Sequence, residues 1–141
     1  MAFSFSNEYP VLSSHVSEIE PQDFTLIAAP PVAGSTTFFI ADRPYQVVSV
    51  AEIHPVASTG GASTAIVTKD TGTGAPGSGS SVLAGAATFN LAGTANTLQT
   101  INGVATGVSQ LAVGDRLALQ LTGTLTSMTS ISIVVQLRSL Y

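Results

Sequence analysis

Hydrophobic residues recur along much of this chain with a period of two. Leu117, Leu119 and Leu121 alternate with Arg116, Ala118 and Gln120, and Ile131, Ile133, Val135 and Leu137 alternate with Ser132, Val134, Gln136 and Arg138. Successive side chains of a strand point to opposite faces, so each set lines one face of a sheet and looks into a core. Gly114 and Asp115 form a turn entering the first of these strands, and residues 123–130 connect it to the second. Upstream, residues 24–29 and 36–41 are short apolar runs split by Pro30, Pro31 and Gly34. Residues 45–54 (YQVVSVAEIH) are rich in β-branched side chains and stop at Pro55, and STAIVTK (63–69) gives another strand after turn residues 58–62. Weaker strands are expected at 82–84, 87–91 and 97–101. Residues 71–81 (TGTGAPGSGSS) hold four glycines and a proline, and read as an exposed, mobile loop with no binding role. About eight short strands, long loops and no ten-residue helical pattern predict an all-β fold, a jelly-roll-like antiparallel β-sandwich.

Composition narrows what such a sandwich does. A chain of 141 residues and 14.3 kDa supports one domain. Only 9% of residues are charged, against roughly 25% in an average soluble protein, while Ser, Thr and Gly number 17, 17 and 13. With 45% hydrophobic residues the chain is too apolar for disorder, and four basic residues are too few to neutralise a phosphate backbone, so nucleic acid is not an expected partner. The absence of cysteine excludes a disulfide scaffold. No secretory leader is expected, since the first basic residue is Arg43 and Glu8 and Pro10 interrupt the N-terminal apolar positions. Residues 117–137 are uncharged and long enough to cross a bilayer. Their alternation, with seven Ser or Thr residues, is that of strands, so no membrane partner is expected.

Charge sets the first 23 residues apart. Glu8, Glu18, Glu20 and Asp23 lie there without a basic residue, whereas the other four acids are matched by Arg43, Lys69, Arg116 and Arg138. The segment has no clean period, and the chain divides into an extended acidic arm, residues 1–23, and a sandwich domain, residues 24–141. Extended, the arm reaches about 60–70 Å, farther than one domain is wide. Phe3, Phe5 and Tyr9 are its candidate buried anchors on a partner, and Glu8, Glu18, Glu20 and Asp23 the groups that set register against basic residues there.

Catalytic chemistry finds little footing. The two histidines, His15 and His54, belong to no metal-binding spacing, so no metal or other cofactor is expected. No GxSxG frame surrounds any serine, and the glycine-rich residues 72–79 lack the Lys-Ser/Thr ending and following helix of a phosphate-binding loop. Asp42 and Asp115 each adjoin an arginine, Arg43 and Arg116, and are read as local ion pairs rather than as paired catalytic carboxylates. There is no tryptophan, and the tyrosines are Tyr9, Tyr45 and Tyr141, so the loops carry no obvious sugar-binding platform. The expectation is a protein that is not an enzyme and takes no small-molecule substrate. Surfaces tiled with small neutral residues suit permanent assembly.

Three segments then carry a resemblance: VTKDTGTGAPGSGSS (67–81), NLAGTANTLQT (90–100) and LAVGDRLALQLTGTLTSMTSISIVVQLR (111–138). Together they resemble small structural proteins of tailed bacteriophages, in particular capsid decoration (cement) proteins and related virion β-sandwich proteins. The likeness covers roughly residues 36–138 and leaves the arm unmatched. It implies a jelly-roll-like subunit, commonly a homotrimer, made in the host cytoplasm and seated on the exterior of the virion capsid. There it would stabilise contacts between subunits of the major capsid protein, with no catalytic residue. The rival from a different class is a head-fibre or tail adhesin module that binds a host-surface glycan through its loops.

Overall fold

In a computed structural model, residues 22–28 and 31–140 are described. The strands are β1 (Gln22–Ala28), β2 (Gly34–Ile40), β3 (Tyr45–Ile53), β4 (Thr64–Asp70), β5 (Ser80–Ser81), β6 (Phe89–Asn90), β7 (Gln99–Ile101), β8 (Gln110–Leu111), β9 (Arg116–Thr122) and β10 (Ile131–Ser139). They form two antiparallel sheets. The first runs β1-β10-β3-β7 with β8 also on β3, and the second runs β2-β9-β4-β5 with β6 also on β4. The pairing is nested: β1 with β10, β2 with β9, β3 with β7 and β8, β4 with β5 and β6. That is a long hairpin rolled up on itself and closed by the β3–β10 and β4–β9 pairs, the strand order of a jelly roll. The expected all-β sandwich is the fold of the molecule.

The clearest alternations land where the period put them. Leu117, Leu119 and Leu121 on β9, and Ile131, Ile133, Val135 and Leu137 on β10, are at most 5% exposed and meet Val47, Val50, Ala65, Val67, Phe89 and Leu111 between the sheets. Each such side chain contributes about 1.5–3 kcal/mol of burial. Gly114, at φ +86°, makes the expected turn into β9, with Ala112 N–H donating to the Asp115 carboxylate at 2.8 Å. Residues 117–137 are therefore β9, a connection and most of β10. Among the described residues no helix is long and apolar enough to cross a membrane.

Three expectations change. Residues 82–84 are not a strand: Leu83 makes one isolated bridge to Val104, and the chain turns into a short 3₁₀ segment, Ala84–Ala86, with Gly85 at φ +61°. Strand β8 was not expected, because two residues have no period to read. The third change is at residues 80–81, expected in the loop, which form β5 against Thr68 and Lys69. Parity on β3 is set by its pairing. The β3–β10 register shifts at Gln136/Leu137, so that Val47 and Val50, three apart, both face inward. A bulge of this kind resets the alternation, and it carries Glu52 to the inner side.

Of the proposed arm contacts, Phe3, Phe5, Glu8, Tyr9, Glu18 and Glu20 lie outside the described residues. Asp23 does not belong to an arm. It sits in β1 opposite Gln136, whose side-chain amide donates to its carboxylate at 3.3 Å. The sandwich thus takes in Gln22 and Asp23, and the boundary drawn after residue 23 moves forward because β10 offers β1 a full-length partner.

Candidate assembly surface

The first determinant of this surface is what the fold removes from it. Asp70 ends β4 on the outer side of the second sheet, yet it is fully buried. Its carboxylate accepts the N–H groups of Gly77 and Gly79 at 2.9 and 2.7 Å and the Thr68 hydroxyl at 3.3 Å. Arg116 donates to the carbonyls of Gly72 and Gly74, and Gln120 to that of Gly77. The glycine-rich loop therefore lies flat over the outer face of β4 and β9, and it buries Thr68 and Ala118. The expected loop is exposed, as its composition suggests, and its inner side is hydrogen-bonded to the sheet. Glycine is needed for that contact. A Cβ on Gly79 would enter the Lys69 carbonyl, and one on Gly77, at φ +79°, would meet the Ser35 side chain. Replacing Asp70 with alanine leaves both amides without their acceptor, and a loss of about 1–3 kcal/mol in urea unfolding is expected. An unchanged midpoint would mean that the loop contributes nothing to the body.

Asp115 is the second buried acid. The sequence paired it with Arg116, but its carboxylate lies 3.1 Å from Lys69 Nζ, while Arg116 is turned to the loop carbonyls. The reason is strand parity. Lys69 stands opposite Leu117, on the core side at the mouth of the sandwich, and its ammonium emerges beside Asp115 and the Gln110 carbonyl. The other expected pair is present: Arg43 and Asp42 meet at 3.5 Å, both largely exposed. Tyr45 donates to Asp42 at 2.8 Å, and this bond holds the Asp42 carboxyl below its usual range.

The third buried acid is the feature that sequence reading missed. Glu52 and His54 are fully buried and share the inner side of β3 and its end. His54 Nδ1 shares a hydrogen bond with one Glu52 oxygen at 2.9 Å, and Gln99 Nε2 donates to the other at 2.7 Å. Gln99 also grips the backbone of Asn90, accepting its N–H at 3.0 Å and donating to its carbonyl at 2.9 Å. His54 Nε2 faces the Gly93 carbonyl at 3.5 Å, and the His54 carbonyl accepts the Asn96 N–H. Burial pushes the Glu52 carboxyl above its ordinary value, and the hydrogen bonds and charge of its partners offset only part of that. The cluster ties β3, β6, β7 and residues 91–98 together at one end of the sandwich. The signal was available in Val50, Glu52 and His54, which share parity; the bulge that turns that parity inward was not.

What remains outside is almost free of charge. Among the described residues, Asp23, Asp42, Arg43 and Arg138 alone are both charged and exposed. Large apolar side chains do reach solvent: Val32, Ile40, Leu98 and Val113 are each more than 60% exposed. Ile40 and Val113 are brought near one another by the bonds that Ala41 makes with Gly114 and Asp115. A shallow hollow of about 330 Å³ beside Lys69 is lined by Pro44, Gly107, Gln110, Leu111, Ala112 and Leu140, with no aromatic ring. No aromatic side chain is exposed among the described residues. Compared with known proteins, the chain matches no family model, no curated protein and no solved structure.

Proposed function

We propose that this chain is a capsid decoration protein, a structural subunit that binds the outer surface of a phage head as a homotrimer and clamps neighbouring major capsid subunits. The observation that carries the reading is the near-absence of exposed charge. The fold buries Glu52, Asp70 and Asp115 and leaves four exposed charged residues over the whole described body. A free-living monomer of this size keeps roughly a quarter to a third of its surface residues charged. A surface of Thr, Ser, Ala and Gly with scattered Val, Ile and Leu loses little on desolvation and fits permanent burial against a partner. Clamping follows from multiplicity. A trimer that engages three equivalent places raises the effective concentration for the second and third contacts, and avidity gains on the order of 10²–10⁴ follow without stronger individual contacts.

The test is direct. Purified protein is expected to sediment at three times the 14.3 kDa chain mass. It is also expected to bind expanded heads that lack it, occupying every equivalent capsomer junction and raising the temperature at which the heads rupture. Occupancy confined to a tail or to a few fibre positions would sink this reading in favour of the adhesin.

A further inference from the structure

The second sheet ends on β2, and no described strand pairs with its outer edge. A bare edge presents backbone N–H and C=O groups to any strand that arrives, and proteins that must remain apart block it with lysine, proline or an inward charge. β2 (GSTTFFI) has no lysine, proline or charge; the bulge at its register shift between Thr37 and Phe39 is an edge device too, but it leaves Gly34 to Thr37 in regular register. The margin beside it is also incompletely covered. Phe24 of β1 meets Phe39 of β2 edge-on, ring centroids 4.8 Å apart, so the two edge strands border one seam. Gly34 and Thr36 stand opposite the core residues Leu121 and Leu119 and yet are exposed. Phe24, Leu26, Phe38 and Phe39 are only half-buried, and Val32, two residues before β2, and Ile40, its last residue, are 73% and 63% exposed.

We propose that residues 1–21 of a second copy of this chain complete this margin. They add as a strand to the β2 edge and set Phe3, Phe5 and Tyr9 into the seam, and each copy gives its segment to the next. The inference rests on the trimer reading above and names its interface. Chemistry, length and place identify the occupant. The seam is apolar and aromatic, and the segment carries two phenylalanines and a tyrosine within seven residues. Twenty-one residues span about 70 Å extended, whereas the seven-residue edge needs only about 25 Å, so most of the reach is left for crossing to a neighbour. The segment joins the body at Gln22, two residues before Phe24, so it leaves each copy beside the Phe39 end of β2. β2 itself carries no charge. Giving with one surface and receiving with another is a head-to-tail contact, which closes as a ring when the rotation permits.

The chain has no cysteine, which makes the test clean. Two tagged versions are co-expressed, one carrying Thr36→Cys and the other a single cysteine placed in turn at Ala2, Ser4, Ser6, Asn7 and Glu8, which leaves the three aromatic anchors in place. Oxidation is expected to link the two tags at one or two neighbouring arm positions. A double variant that closes its disulfide within one chain instead would show the segment covering its own edge and overturn the proposal. Thr36→Lys, which sets a charge at the core side of the edge, is expected to sediment as a single chain with an unchanged circular dichroism spectrum. Head binding by the wild-type protein separates the two readings. A trimer that decorates heads but never cross-links between tags sinks this interface alone. A cross-linked trimer that leaves heads bare sinks the decoration role alone.

Discussion

Replacing Glu52 with alanine is expected to cost about 3–5 kcal/mol of folding stability, one of the two largest losses foreseen for a single substitution in this protein. The alanine strands His54 in a fully buried site and leaves Gln99 without one of its acceptors. Glutamine at the same position behaves differently. Its oxygen accepts from Gln99, its amide donates to His54 Nδ1, and a proton on His54 Nε2 faces the Gly93 carbonyl, so every group has a partner with no charge buried. Glu52→Gln is therefore expected within about 1 kcal/mol of wild type near neutral pH. The pH dependence has a defined sign. Burial raises the folded-state value of Glu52 above its ordinary 4.5, so the fold favours the protonated form. Its contribution is whole below that ordinary value and shrinks as pH rises through the folded one. The stability of wild type relative to Glu52→Gln should thus fall as pH rises above the ordinary value of 4.5, measured by urea unfolding of both proteins. A difference that grows with pH would show the attraction to His54 outweighing burial.

Truncation of the central strands gives the second large effect. Ile133→Ala and Leu119→Ala are each expected to lose about 2–5 kcal/mol, the range for cavities left by a large aliphatic side chain. The two should differ. Ile133 is fully buried on β10 between β1 and β3, with Leu26 and Glu52 as its register partners, so its cavity cannot fill and the loss lies at the upper end. Leu119 pairs across with Thr36, an exposed residue on the open β2 margin, where the sheet can close inward and recover part of the loss. Chemical denaturation of both variants checks the order as well as the size. Losses under about 1 kcal/mol at both positions would mean that these side chains do not fill the core.

Both predictions depend on parity, and parity divides what was legible from what was not. On β9 and β10 the inward side could be read from the residues, because no bulge interrupts those inward sets and each strand alternates cleanly between Leu or Ile and its neighbours. On β3 the same reasoning needed one fact that the sequence does not carry. Val48 and Ser49 fall where the register against β10 shifts, and only the geometry of that pairing turns Val50, Glu52 and His54 inward together. Lys69 is a similar case: its charge suggests solvent, but its parity on β4 sends the stem into the mouth of the sandwich and the ammonium to Asp115. Adjacency does not pair Asp115 with Arg116 because the turn holds Asp115 on Ala112 N–H beside Lys69, while Arg116, the first residue of β9, reaches the loop carbonyls on the outer face.

Period two and composition are enough for the all-β class, the seven inward aliphatics of the last two strands and the low charge of the body. The glycines of residues 72–79 also announced a loop, because glycine leaves the backbone free to turn. Tertiary structure decided where that loop lies. Asp70, Arg116 and Gln120 are distant from it or from one another along the chain, and they converge on it only once β4 and β9 are paired. It likewise decided that three of the four acids within residues 24–141 are buried and that β2 lies at the edge of its sheet among the described strands. Burial and edge position are properties of how strands are ordered in sheets, and strand order is set by contacts between residues far apart in the chain, which no local pattern encodes.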